Sequence, residues 1–120
     1  MLNLDTHILL HALGGSVTPA ERKLLDEHEW SISAIVIWEF AKLAQLGRIQ
    51  IDLDASELTR ALARIHTWPI TLDICRAIRS LDFHADPADE IIAATSIVHH
   101  VPLLTRDARI KRSAIVPLAR

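Results

Sequence analysis

Short apolar runs alternate along the chain with longer segments of helical periodicity. Leu2–Leu4, Trp30–Ser33, Pro69–Thr71, Pro102–Thr105 and Ala114–Pro117 read as strands. Between them, His7–Leu13 is compatible with a helix that breaks at Gly14-Gly15. Thr18 as N-cap, Pro19 at the first helical position and Glu21 at the third predict a helix to about His28. Ala34–Leu46 carries a helical pattern stopped by Gly47. Asp54 is placed to cap a helix to about His66, with Leu58, Leu62 and Ile65 at helical spacing. Further helices are expected over Asp73–Leu81, from Asp86-Pro87 to near His99, and over 107–112. Strands alternating with helices predict an α/β domain around a parallel sheet. No repeat, low-complexity stretch or linker divides it, so residues 1–120 read as a single domain.

Composition adds limits. The chain has 120 residues, half of them hydrophobic and 23% charged, which suits one folded core. No apolar run approaches the ~18 residues that span a bilayer. The start has no basic region and carries an early acid, so a secretory signal is not expected. Cys75 is the only cysteine. It cannot form an internal disulfide, it is expected to fill core, and the default setting is cytoplasmic. The net charge of −2 gives no general attraction to polyanions, but the halves differ: 5 basic and 9 acidic residues in 1–60, 8 basic and 6 acidic in 61–120. Arg106, Arg109, Lys111 and Arg112 form a basic stretch that is either a solvated helix face or a set of phosphate contacts.

The acids carry the chemistry. Ligand crevices of open parallel sheets lie at the carboxyl ends of the strands. Asp5 follows the first predicted strand and Asp107 the fourth, although each is also placed to cap the next helix. Asp86 and Asp89 fit a helix start, as N-cap and N3 acid around Pro87. Glu39 lies in Ala34–Ala41, a run apolar enough to be buried around most of its circumference. There a carboxylate needs a cation or a partner, with Lys42 as the local alternative. Acids that converge raise one another's pKa unless a cation neutralises them. A hard divalent ion on oxygen ligands does so, and activates water for displacement at phosphorus.

Other chemistry has less support. His7 and His11 are four apart without the His-Glu-x-x-His pattern of zinc hydrolases. His99-His100 reads as a solvated helix end. Trp30, Trp38 and Trp68 read as core rather than stacking platforms, and no glycine-rich phosphate loop is present.

Four stretches, "LDTHILLHAL", "SAIVIWEFAKLAQLGRI", "HADPADEIIAATSI" and "PLLTRDARI", occur in the order and spacing of a PIN domain. The chain resembles more closely the toxin subunit of bacterial VapBC toxin–antitoxin pairs. The resemblance spans essentially all 120 residues, and it is the order of the four motifs that makes it specific. It implies a three-layer α/β/α sandwich with a central parallel sheet and Mg²⁺- or Mn²⁺-dependent endoribonuclease activity. Carried onto matching positions, the acidic site is Asp5, Glu39, Asp89 and Asp107. Asp5 and Asp89 are the expected metal ligands, and Glu39 and Asp107 act directly or through water. Asp86 is an outer ligand or only a cap, and Thr6 and Thr105 support the site. The implied partners are RNA, a cognate antitoxin and a second copy of the chain. The helices at 34–46 and 54–66 hold more apolar surface than a small core needs and fit the antitoxin.

Two departures from the pattern stand beside the site. Glu90 replaces an arginine usual in relatives, and Ile37-Trp38 before Glu39 is bulkier than in many of them. Two other functions compete. An aspartate-based, Mg²⁺-dependent phosphotransfer or phosphatase domain also uses strand-end acids, but Asp5-Thr6-His7 stands where its Asp-x-Asp belongs. A catalytically weak PIN-like RNA- or protein-binding module is the other, although none of the four acids is lost.

Overall fold

The computed structural model describes residues 1–120. The strands are β1 (Leu2–Leu4), β2 (Trp30–Ser33), β3 (His66–Trp68) and β4 (Leu103–Leu104). The helices are α1 (Thr6–Gly14), α2 (Pro19–Glu27), α3 (Ala34–Gln45), α4 (Ser56–Ala63), α5 (Leu72–Ala77), α6 (Pro87–His99) and α7 (Ala108–Lys111), with a 3₁₀ turn at Ile78–Ser80. All strand pairs are parallel, in the order β3-β2-β1-β4. Helices flank the sheet in an α/β/α arrangement. No helix is long and apolar enough to cross a membrane.

Leu2, Asn3 and Leu4 are all buried, as a central parallel strand covered on both faces requires. Leu2 and Leu4 join Ile8, Leu9, Ile32, Val36, Phe40, Ile92, Leu103 and Ile110 in one core. Asn3 donates from Nδ2 to the Ile92 carbonyl at 3.1 Å and to Ser96 Oγ at 2.9 Å, tying β1 to α6. The chain moves outward from β1 to β2 to β3, then returns through α5 and α6 to place β4 on the other side of β1. The strand order therefore reverses between β1 and β4, and a crevice opens at such a point beyond the carboxyl ends.

Several expected boundaries shift for local reasons. The third strand is His66–Trp68, not Pro69–Thr71. Pro69 has no N–H for a ladder, and the Thr71 hydroxyl accepts from Ile74 N–H as the cap of α5. The helix expected from Asp54 to His66 runs only from Ser56 to Ala63, capped by Ala55 without a side-chain bond. The helix expected over 73–81 tightens into the 3₁₀ turn after Ala77. No strand forms at 114–117. Asp82 accepts from Ser113 Oγ at 2.6 Å and Ala114 N–H at 2.7 Å, while Ser113 Oγ takes the N–H groups of Ile115 and Val116. These local bonds hold a turn in place of a ladder, and only Leu118 bridges back to Leu103.

Burial corrects four further expectations. The apolar helix α3 is not enclosed: Ile37 is 40% and Trp38 56% exposed. Trp38 is accordingly not core, whereas Trp30 packs against the core. Cys75 is exposed. His99 is half-buried and stacks on Trp68, ring centroids 4.0 Å apart, so the end of α6 is not a solvated histidine pair.

Candidate active site

Asp5 follows β1 directly and is 6% exposed. Its Oδ1 accepts from Thr6 N–H at 2.8 Å, which starts α1. Its Oδ2 accepts from Thr105 Oγ1 at 2.6 Å, just beyond β4. The Thr6 hydroxyl donates to Glu39 of α3. Lys42 turns to Gln45 at 2.9 Å, so the intrahelical partner open to Glu39 is not used. Thr105 Oγ1 also accepts from Asp107 N–H at 3.0 Å. Both threonines expected to support the site thus hold its carboxylates by hydrogen bonds.

Asp107 caps α7, its Oδ1 accepting from Arg109 N–H at 2.8 Å and Ile110 N–H at 3.1 Å. Its Oδ2 makes no protein hydrogen bond, and Asp107 lines a cleft of about 370 Å³ with Asp5, Asp89, Arg106 and two histidines. A second cleft of about 460 Å³ holds Glu39, Asp86 and Asp89. Asp86 occupies the N-cap position of α6 but its side chain makes no capping bond. Glu90 points elsewhere, its Oε2 accepting from Ala85 N–H at 3.4 Å with His84 at 4.0 Å.

The electrostatics bind these residues into one group. Burial, then the carboxylates of Asp5, Glu39, Asp107 and Asp86, push Asp89 from 3.8 up to about 7. Glu39 is raised as well, by burial first. The Thr6 hydroxyl opposes the rise, and Asp5 and Asp86 add to it. Acids from four separated stretches of sequence therefore meet at the strand-order reversal.

The basic residues divide differently. Only Arg106 of the four lines the acid cleft. Arg109 donates to the His84 carbonyl at 2.6 Å, and Lys111 lines a separate cleft with Leu118 and Arg120. Arg112 is exposed and lines neither acid cleft. The polar lining residues not anticipated are His7 and His11, shared by both acid clefts, and Arg48 in the second. The histidines share one face of α1 with four-residue spacing, a signal visible in the sequence apart from any zinc motif. Arg48 lies beyond the end of α3, outside its helical pattern.

This donor set suits a hard divalent cation: gathered carboxylate oxygens, two of them on groups raised by burial and by neighbouring charge, with a threonine hydroxyl behind Asp5 and another behind Glu39. No three His, Cys, Asp or Glu side chains stand close enough together to hold one ion between them. A divalent ion here would rest on one or two carboxylates with water completing its shell, not in an all-protein cage.

A parallel α/β/α sandwich with acids gathered at its switch point is the architecture of a PIN domain. The model of that family, described as "PIN domain", matches residues 3–116, and the chain belongs to this family. It is 35% identical over 117 residues to Ribonuclease VapC22 of Mycobacterium tuberculosis, covering 90% of this chain and 88% of that protein. Its fold is shared with a toxin-antitoxin complex from Klebsiella pneumoniae (TM-score 0.71, 21% identity, 99% of this chain and 97% of that one). It is shared also with VapBC2 from Rickettsia felis bound to a DNA fragment from their promoter (TM-score 0.74, 18% identity, 99% and 98%).

Proposed function

We propose that the protein is a metal-dependent endoribonuclease that cuts RNA phosphodiester bonds, the toxin of a type II toxin–antitoxin pair acting in the cytoplasm. The observation that carries this reading is the gathering of Asp5, Glu39, Asp89 and Asp107 in one crevice, where burial first and the neighbouring carboxylates next lift Asp89 to about 7. Membership of the family and the likeness to Ribonuclease VapC22 support it. Asp5 and Asp89 would hold Mg²⁺ or Mn²⁺, Glu39 and Asp107 would complete the site directly or through water, and Asp86 would be an outer ligand or only the N-cap residue of α6. A divalent ion supplies Lewis-acid polarisation of the phosphodiester and a more acidic water. Thr105 fixes Asp5, and Thr6 fixes Glu39, the half-buried carboxylate placed to take the water's proton. The exposed Ile37, Trp38 and Leu46 at α3 and Leu53 before α4 are apolar surface for the cognate antitoxin and for a homodimer.

The test is cleavage of a broad RNA pool by the purified, folded chain with Mg²⁺ or Mn²⁺ and with EDTA. EDTA should abolish cleavage. Asp5→Asn and Asp89→Asn should each lower kcat on the order of 10²-fold or more, since even outer-shell changes at metal sites cost ~10–100-fold. Undiminished cleavage in EDTA, or full activity in both variants, rejects the mechanism. No cleavage of any RNA selects the binding-module alternative.

A further inference from the structure

The two acid clefts are halves of one trough, because His7, His11 and Asp89 line both. Each half has one arginine: Arg106 beside Asp5 and Asp107, Arg48 beside Glu39 and Asp86. Five carboxylates along this trough repel a polyanion, so a strand can enter only where cations hold its phosphates on either side.

The two arginines are held in different ways. Arg106 donates from Nε and Nη2 to Glu21 at 2.8 and 2.7 Å, and from Nη2 to the Ser16 carbonyl at 3.3 Å. Glu21 is itself tied to Thr18 N–H at 2.9 Å in a capping box. This ion pair cancels much of the charge of Arg106 but locks its guanidinium, leaving Nη1 without a protein partner. Arg48 is exposed and makes no ion pair. It follows Gly47, whose φ of 70° turns the chain at the end of α3.

Resting on the endoribonuclease reading, we propose that single-stranded RNA crosses this trough with the phosphates flanking the scissile bond held by Arg48 and Arg106. Arg48 supplies the free charge that captures the strand. Arg106 supplies fixed donors that set its register, and Glu21 is the positioning residue that fixes them. The remaining cations after β4 do not take part: Arg109 is committed to His84, and Lys111 lines another cleft.

The test uses the full chain and a fluorescein-labelled single-stranded RNA of mixed sequence. Binding is read by anisotropy across a KCl series in an Asp89→Asn background that keeps the RNA intact, and cleavage is read in the Asp89 protein. Arg48→Gln should weaken binding and lower the slope of log Kobs against log salt by about 0.7, one phosphate contact on a single strand. Lys23→Gln, on the exposed face of α2, should leave the slope unchanged. Glu21→Gln keeps the capping box, which accepts Gln at N3. It should leave the slope no lower, because it frees the charge of Arg106, while lowering kcat about tenfold or more with little change in KM, as loss of register predicts. If the wild-type chain cleaves RNA yet Arg48→Gln leaves the slope intact, or Lys111→Gln lowers it instead, the trough assignment is overturned. If Glu21→Gln changes nothing, its positioning role is overturned. Absence of cleavage by the wild-type chain overturns the endoribonuclease reading itself.

Discussion

Asp89→Asn should stabilise the metal-free protein at pH 8 and leave its stability unchanged at about pH 3, where both the folded and the unfolded carboxyl are protonated. The unfolded carboxyl titrates near 3.8, and the folded one near 7. Between those values the folded state holds a proton that the unfolded state has lost. Raising pH through this window therefore removes stability. The interval of about 3 pH units, at about 1.36 kcal/mol each, sets a ceiling of about 4 kcal/mol. Asp89 is only half-buried, so solvent screening reduces this to about 1–2 kcal/mol. For a chain of this length that is roughly 4–8 °C in Tm. The assay is thermal unfolding of the metal-free protein from about pH 3 to 8, read by circular dichroism. The wild-type Tm should fall relative to the variant as pH rises, with the curves meeting below pH 3.8, where Asp89 is protonated in both states and near-isosteric with Asn. Mg²⁺ should close the gap at pH 8 by binding the wild-type site. All other titrating groups are common to both proteins, so the difference isolates Asp89. Parallel curves would refute the claim that burial and the neighbouring carboxylates raise Asp89 in the fold.

Three further perturbations separate the roles of single groups. Thr105→Val removes the 2.6 Å donor to buried Asp5 and the acceptor for Asp107 N–H. It should cost about 1.5–3 kcal/mol by urea denaturation and lower cleavage by about 10–100-fold; wild-type cleavage would show that the hydroxyl does not orient Asp5. Asn3→Ala severs the link from β1 to Ile92 and Ser96. It should destabilise by about 2–3 kcal/mol, and a loss under 1 kcal/mol would mean that α6 is seated by apolar packing alone. Asp107→Ala should cost the ~1 kcal/mol of a lost helix cap, whereas Asp86→Ala, which makes no capping bond, should cost less. Equal losses in thermal melts would contradict that contrast.

The acids were legible because each stands at a boundary that local chemistry marks: Asp5 and Asp107 after strands, Asp86 and Asp89 at a Pro-led helix start, Glu39 inside an apolar helix. The cations were not. Arg106, Arg109, Lys111 and Arg112 look equivalent in sequence, but α7 has only four residues and sends its neighbours to different sides. Arg48 gains its place from the turn at Gly47, which lies outside any periodic pattern. Exposure of Ile37 and Trp38 was likewise hidden. An apolar run does not distinguish a helix enclosed by its own chain from one whose surplus face awaits a partner. The third strand slipped by three residues because Thr71 is both a good strand former and a good cap, and the cap prevails beside Pro69.

Capping and chemistry, posed as rivals by the sequence, coexist on the same carboxylates. Asp5 gives one oxygen to the start of α1 and the other to Thr105. Asp107 gives one oxygen to α7, leaves the other without a protein partner, and lines the crevice. The helix bonds fix each carboxylate in a single rotamer at the strand-order reversal, which is the preorganisation a site needs. They also hold the acids half-buried and close together, and burial first, then the neighbouring carboxylates, raise Asp89 and Glu39. The same local signals that begin the helices thus create the electrostatic demand that a divalent ion meets, so fold and site are encoded by one set of residues.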